Sequence, residues 1–98
     1  MTTAEVDVVA IARSVESCPG VASLSSGPVG LAVSYLPGKR VEGVRATDEL
    51  VEVHVVARWG MTVQLVDREV RDAVSSLLGG RRLDVVIEDV DVPAELVR

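Results

Sequence analysis

Two side-chain types suited to nucleophilic or acid–base chemistry occur once each, the thiol of Cys18 and the imidazole of His54. A Ser-His-Asp or Cys-His arrangement needs the imidazole beside the nucleophile, with a third group to orient it. Cys18 falls on the apolar side of a helical pattern, whereas His54 falls on the polar side of a strand pattern, so the two are predicted to face opposite layers. Cys18 is expected to pack as a small buried hydrophobe, and a single cysteine permits no internal disulfide. A zinc shell is poorly supplied, because one His and one Cys leave the other ligands to carboxylates. No catalytic residue, metal ligand or cofactor is therefore expected.

Four other stretches invite a chemical reading. Glu88, Asp89, Asp91 and Glu95 could be a cation site, but they lack the glycine and spacing of a calcium loop, and neighbouring strand residues point to opposite faces. A solvated strand end is the better account. Ser25-Ser26-Gly27-Pro28-Val29-Gly30 suggests a phosphate cradle, yet it has neither a Gly-Lys-Ser/Thr ending nor a following helix. Turn chemistry explains it. Leu36-Pro37-Gly38 is superficially similar to a sortase signal but lies mid-chain, without the threonine or the apolar tail. Lys39-Arg40 and Arg81-Arg82 could form a basic patch if their turns meet, although the acidic total favours scattered surface charge. Trp59, at a strand-to-helix corner, reads as a packing residue with its indole N–H turned to solvent or a carbonyl; the other reading is an interface anchor.

The elements that position these residues centre on Leu50 to Leu78. Val51, Val53, Val55 and Ala57 alternate with Glu52, His54, Val56 and Arg58, the period of a strand with one buried face. Beyond Trp59-Gly60 the apolar residues recur as Val63, Val66, Val70, Val74 and Leu77, the spacing of a helix with one buried stripe, which Gly79-Gly80 ends. Upstream, Thr2 and Glu5 have the spacing of a capping box, and Ala4, Val8, Ile11, Val15 and Cys18 define a helix over about residues 4 to 17, closed by Pro19-Gly20. Strands are predicted over 21–26, 29–35 and 41–46, with Leu36 to Arg40 as a turn or edge break. Thr47-Asp48-Glu49 then turns the 41–46 strand into a hairpin with the central one. Leu83, Val85 and Ile87 begin a last strand whose apolar parity shifts to Val90 and Val92, which predicts a bulge near Glu88-Asp89.

The expected fold is α+β in two layers, with two helices packed on one face of a mainly antiparallel, mixed sheet, in the order α-β-β-β-β-α-β. One domain is expected across residues 1–98, with a core over about 4–92 and a tail over 93–98. A net charge of −5 argues against nucleic acid and against direct docking on anionic lipid. No apolar run approaches the roughly 18 residues of a membrane span, and Met1-Thr2-Thr3-Ala4-Glu5 has no signal-peptide character. A cytoplasmic product is expected, membrane-proximal only through a partner, with no direct insertion.

The ordered set of Val9 to Arg13, Cys18-Pro19-Gly20-Val21-Ala22, Leu36-Pro37-Gly38-Lys39-Arg40 with Gly43-Val44, Val53 to Gly60, Leu77-Leu78-Gly79 and Leu83 to Val90 resembles the alkaline shock protein family of envelope stress response proteins. It looks most like the short, valine- and arginine-rich actinobacterial versions, over about residues 6 to 92. The resemblance implies a non-enzymatic cytosolic protein that associates with itself and with small membrane-anchored partners at the inner side of the envelope. It carries over no catalytic residue and no cofactor. The sequence is shorter than many members and lacks their longer polar tails, so no tail-mediated contact is carried over.

The residues add a surface to that expectation. Helices on one face leave Glu52, His54, Val56, Arg58, Asp84, Val86 and Glu88 displayed on the other, with Trp59 at its end. A homo-oligomer built through this face, or through an edge strand near Val29 to Tyr35, is the leading expectation. The alternative is a monomeric module that binds a peptide or protein by adding a strand to an exposed sheet edge. A small enzyme comes third, for want of convergent polar groups.

Overall fold

The computed structural model describes residues 6–27, 30 and 32–96. Asp7 starts the first helix, α1 (Val8–Glu16), its carboxylate accepting from the N–H groups of Val9 and Ala10 at 3.1 Å. The Thr2–Glu5 capping box lies outside the described residues. Val6 and Asp7 are not helical, so α1 begins later than residue 4 as predicted, because Asp7 takes the capping role.

After the Cys18–Gly20 turn come β1 (Val21–Leu24), β2 (Val33–Leu36), β3 (Lys39–Glu42), β4 (Val44–Ala46) and β5 (Leu50–Arg58). The Thr62 hydroxyl then caps α2 (Val63–Val74), accepting from the Leu65 N–H at 3.2 Å, and a 3-10 turn over Ser75–Leu77 leads to β6 (Arg82–Asp91). A second 3-10 turn follows at Ala94–Leu96.

Five strands thus precede α2, where four were expected. Pro37-Gly38 alone makes the turn, and Leu36, Lys39 and Arg40 join the β2–β3 hairpin that the sequence reading assigned to a break. Gly43 then divides the single strand predicted over 41–46 into β3 and β4. Its φ of +83° lies where an L side chain is strained, its N–H donates to the Ala32 carbonyl at 2.7 Å, and its carbonyl accepts from the His54 N–H at 2.8 Å.

β5 is the organising strand. Along one edge it pairs antiparallel with β4 through its first half and with β1 through its second; along the other it pairs in parallel with β6, which α2 makes possible as the crossover. The predicted hairpin of β4 and β5 is present. Val51, Val53, Val55 and Ala57 turn inward onto Ile11 and Val15 of α1 and Val66, Val70 and Val74 of α2, all buried in one cluster. Branched and small side chains fill this core with no help from aromatics, since a β-branched residue suits the pleated surface and loses little rotamer freedom there. Both helices cover the same sheet face, in two layers.

Register in the parallel pair shifts once. Val55 lies opposite Ile87 and Val56 opposite Asp89, so Glu88 is the extra residue. The bulge predicted at Glu88-Asp89 is where the apolar parity changes, which returns Val90 to the side of Ala57.

Candidate interaction surface

The uncovered face of the sheet is built by cross-strand rows. Arg45, Glu52 and Asp84 form the first; His54 stands opposite Val86 in the next; Ser23, Val56 and Asp89 follow, and Arg58 faces Asp91 at the end. Among the described residues no helix lies on this side. The sequence-predicted set of Glu52, His54, Val56, Arg58, Asp84, Val86 and Glu88 is therefore brought together.

His54 is less displayed than the alternation implies, its side chain being only 14% exposed. Nδ1 lies 2.6 Å from Glu88 Oε1, and Nε2 lies 3.2 Å from Glu52 Oε1. A doubly protonated ring donates to both carboxylates, whereas a neutral ring donates to one. Each ring nitrogen thus faces a carboxylate. The two carboxylates flank opposite sides of the ring and do not converge on a common point. Glu88 is the residue left without a partner at the bulge.

Electrostatically the face is acidic. Glu52, Asp84, Glu88, Asp89 and Asp91 stand against Arg45 and Arg58. Asp89 also accepts from the Val90 N–H at 2.7 Å, and Glu88 is turned to His54, so the acidic run is spread over separate partners.

Trp59 lies in the turn beyond β5 and is 55% exposed, which corrects its reading as a packed corner residue. Of the two basic pairs, Lys39 and Arg40 line a groove with Arg13 and Glu16 of α1, while Arg81 donates to the carbonyls of Thr47 and Leu78. Of the edge suggested near Val29 to Tyr35, Val29 and Leu31 lie outside the described residues, and β2 begins at Val33.

Cys18 is buried on the helix side, as predicted, with its thiol 3.5 Å from the Ser14 carbonyl and 3.6 Å from that of Glu69. Burial pushes the thiol pKa up, and the Glu69 charge adds to the effect.

Two features escaped the sequence reading. The His54–Glu88 contact joins residues far apart in the chain; alternation places both on the uncovered face but gives no register between their strands. The other is the edge of β6, which pairs with β5 alone among the described strands. No helix among the described residues is long and apolar enough to cross a membrane. The chain matches no family model, no curated protein and no solved structure.

Proposed function

We propose that this chain is a non-enzymatic structural protein of the cell-envelope, alkaline-shock type of stress response. It acts by self-association and protein–protein contacts on the cytoplasmic side of the membrane, reaching the envelope through a small membrane-anchored partner. The resemblance over about residues 6 to 92 supports that setting. The observation that carries the molecular part is the uncovered sheet face, where half-buried Val56 and Val86 lie among charged side chains, a mixed surface of the kind that protein contacts use.

The test is the mass in solution by size-exclusion chromatography with light scattering, over roughly a hundredfold in concentration, since self-association follows mass action. Growth beyond 10.4 kDa is expected, and Val56→Lys combined with Val86→Lys should return the protein to a monomer. A mass that stays at the monomer value across the range overturns intrinsic self-association. Unchanged assembly in the double variant removes this face as the interface.

A further inference from the structure

We infer that the outer edge of β6 receives an extended, lysine- or arginine-bearing segment of another protein as an added strand. In a parallel pair, successive residues direct their N–H and C=O groups to alternate sides. The Arg82 N–H donates to the Glu49 carbonyl at 3.0 Å, so Arg82, Asp84 and Val86 spend their backbone groups on β5. Leu83, Val85 and Ile87 consequently turn theirs outward. The Leu83 carbonyl is already covered, accepting from Arg71 Nη1 of α2 at 3.1 Å, and the bulge at Glu88 ends the regular stretch at the other side. Val85 and Ile87 remain as the place where a new ladder can begin, with donors and acceptors that a partner strand would satisfy.

Charge selects the occupant. Asp84 precedes this stretch, and Glu88 and Asp89 follow it, with Asp84 and Asp89 both exposed. A second copy's β6 laid alongside would bring carboxylates against carboxylates, which is unfavourable across a strand pair. Cationic side chains placed beside Asp84 and Asp89 instead meet opposite charge at both ends of the stretch. This inference rests on the reading of the chain as a protein-contact module, and it stands apart from self-association.

The probe is a short, end-blocked peptide of alternating lysine and valine, titrated onto the full chain at low and at moderate salt. Saturable binding is expected, with slowed hydrogen exchange at the Val85 and Ile87 amides and loss of affinity as salt rises. Asp84→Lys combined with Asp89→Lys, two exposed positions, should weaken binding about tenfold or more. A peptide of the same charge with a central proline cannot complete the ladder and should bind far more weakly. Equal binding of the proline peptide, protection that falls elsewhere, or no binding at all overturns the proposal. Light scattering on the same samples separates the two readings. A monomer that takes up the peptide removes self-association and keeps the β6 site; concentration-dependent assembly with no peptide uptake does the reverse.

Discussion

Glu88, the one residue of β6 with no opposite number on β5, lies 2.6 Å from His54. Both side chains are shielded, 14% and 16% exposed, so the pair is neither a surface ion pair of negligible worth nor a fully buried one. Glu88→Ala takes away the acceptor and leaves the imidazole facing Glu52 alone. A loss of about 1–2 kcal/mol is expected, from a hydrogen bond to a charged group made in partial shelter. Replacing both residues, His54→Val with Glu88→Val, should cost less than the sum of the single changes, because no polar group is then stranded. Urea unfolding of the four proteins in the cycle measures this, and strict additivity would show that the two groups do not depend on each other.

At Gly43, backbone conformation and close approach coincide. A Cβ there would lie 2.8 Å from Leu24 Cβ and 2.9 Å from the His54 carbonyl oxygen, and φ is +83°. Gly38 has a similar φ of +68° with nothing within 4 Å, and so isolates the conformational cost. Gly38→Ala is expected to cost about 1–2 kcal/mol, the penalty of a left-handed L residue. Gly43→Ala should cost about 1–2 kcal/mol more, because the turn must move away from both β1 and β5, and the bond from His54 N–H to the Gly43 carbonyl stretches. Equal losses in chemical unfolding would mean that the sheet yields easily at this junction.

What was legible in the sequence follows from where local chemistry decides the structure. Val51 to Ala57 alternate against polar residues because one face is buried, and α2 carries its stripe at Val66, Val70 and Val74 for the same reason, although Val63, read as part of that stripe, is 58% exposed at the first turn. The parity change at Val90 announces the bulge. By contrast, Leu36, Lys39 and Arg40 look like parts of a turn because proline and glycine stand between them, although a two-residue loop is also what closes a tight hairpin, and here Leu36 pairs with Lys39 directly across it. Asp7 and Thr2 are both good caps, and local composition does not choose between them. The contact of His54 with Glu88 needs the parallel register of two strands separated by a helix, which no local pattern encodes. Trp59, in the turn beyond β5, is exposed and no part of the buried cluster, which no local pattern around it decides.

Glu69 of α2 ties the helix to the turn before β1, accepting the Gly20 N–H at 2.8 Å. Gly20 is buried, and a Cβ on it would come within 2.8 Å of that same carboxylate oxygen and 3.0 Å of Val66 Cγ2. Glu69→Gln keeps an acceptor at the same reach, so little loss of stability is expected. Glu69→Ala leaves a sheltered N–H unsatisfied and should cost about 1–3 kcal/mol. Thermal or urea unfolding distinguishes them; if the two variants are equally stable, the Gly20 N–H finds water instead.

The charge of the same carboxylate also bears on the buried thiol of Cys18. Burial and then the Glu69 charge raise the Cys18 pKa in the folded protein, so the native state holds its proton at a pH where the unfolded chain has released it. Fewer protons are bound unfolded than folded in that window, and stability must fall as pH rises. The contribution is fully present below the unfolded thiol's range and is lost as pH climbs to the higher folded value. Cys18→Ala should therefore flatten the alkaline limb of a stability profile. Glu69→Gln should shorten that limb by removing the charge that opposes the thiolate, and should speed alkylation of folded Cys18 at a given alkaline pH. Burial is the larger cause, so this acceleration is expected to be smaller than the one produced by unfolding the protein in denaturant. An alkaline limb identical in the wild type and in Cys18→Ala would assign the loss of stability to other groups.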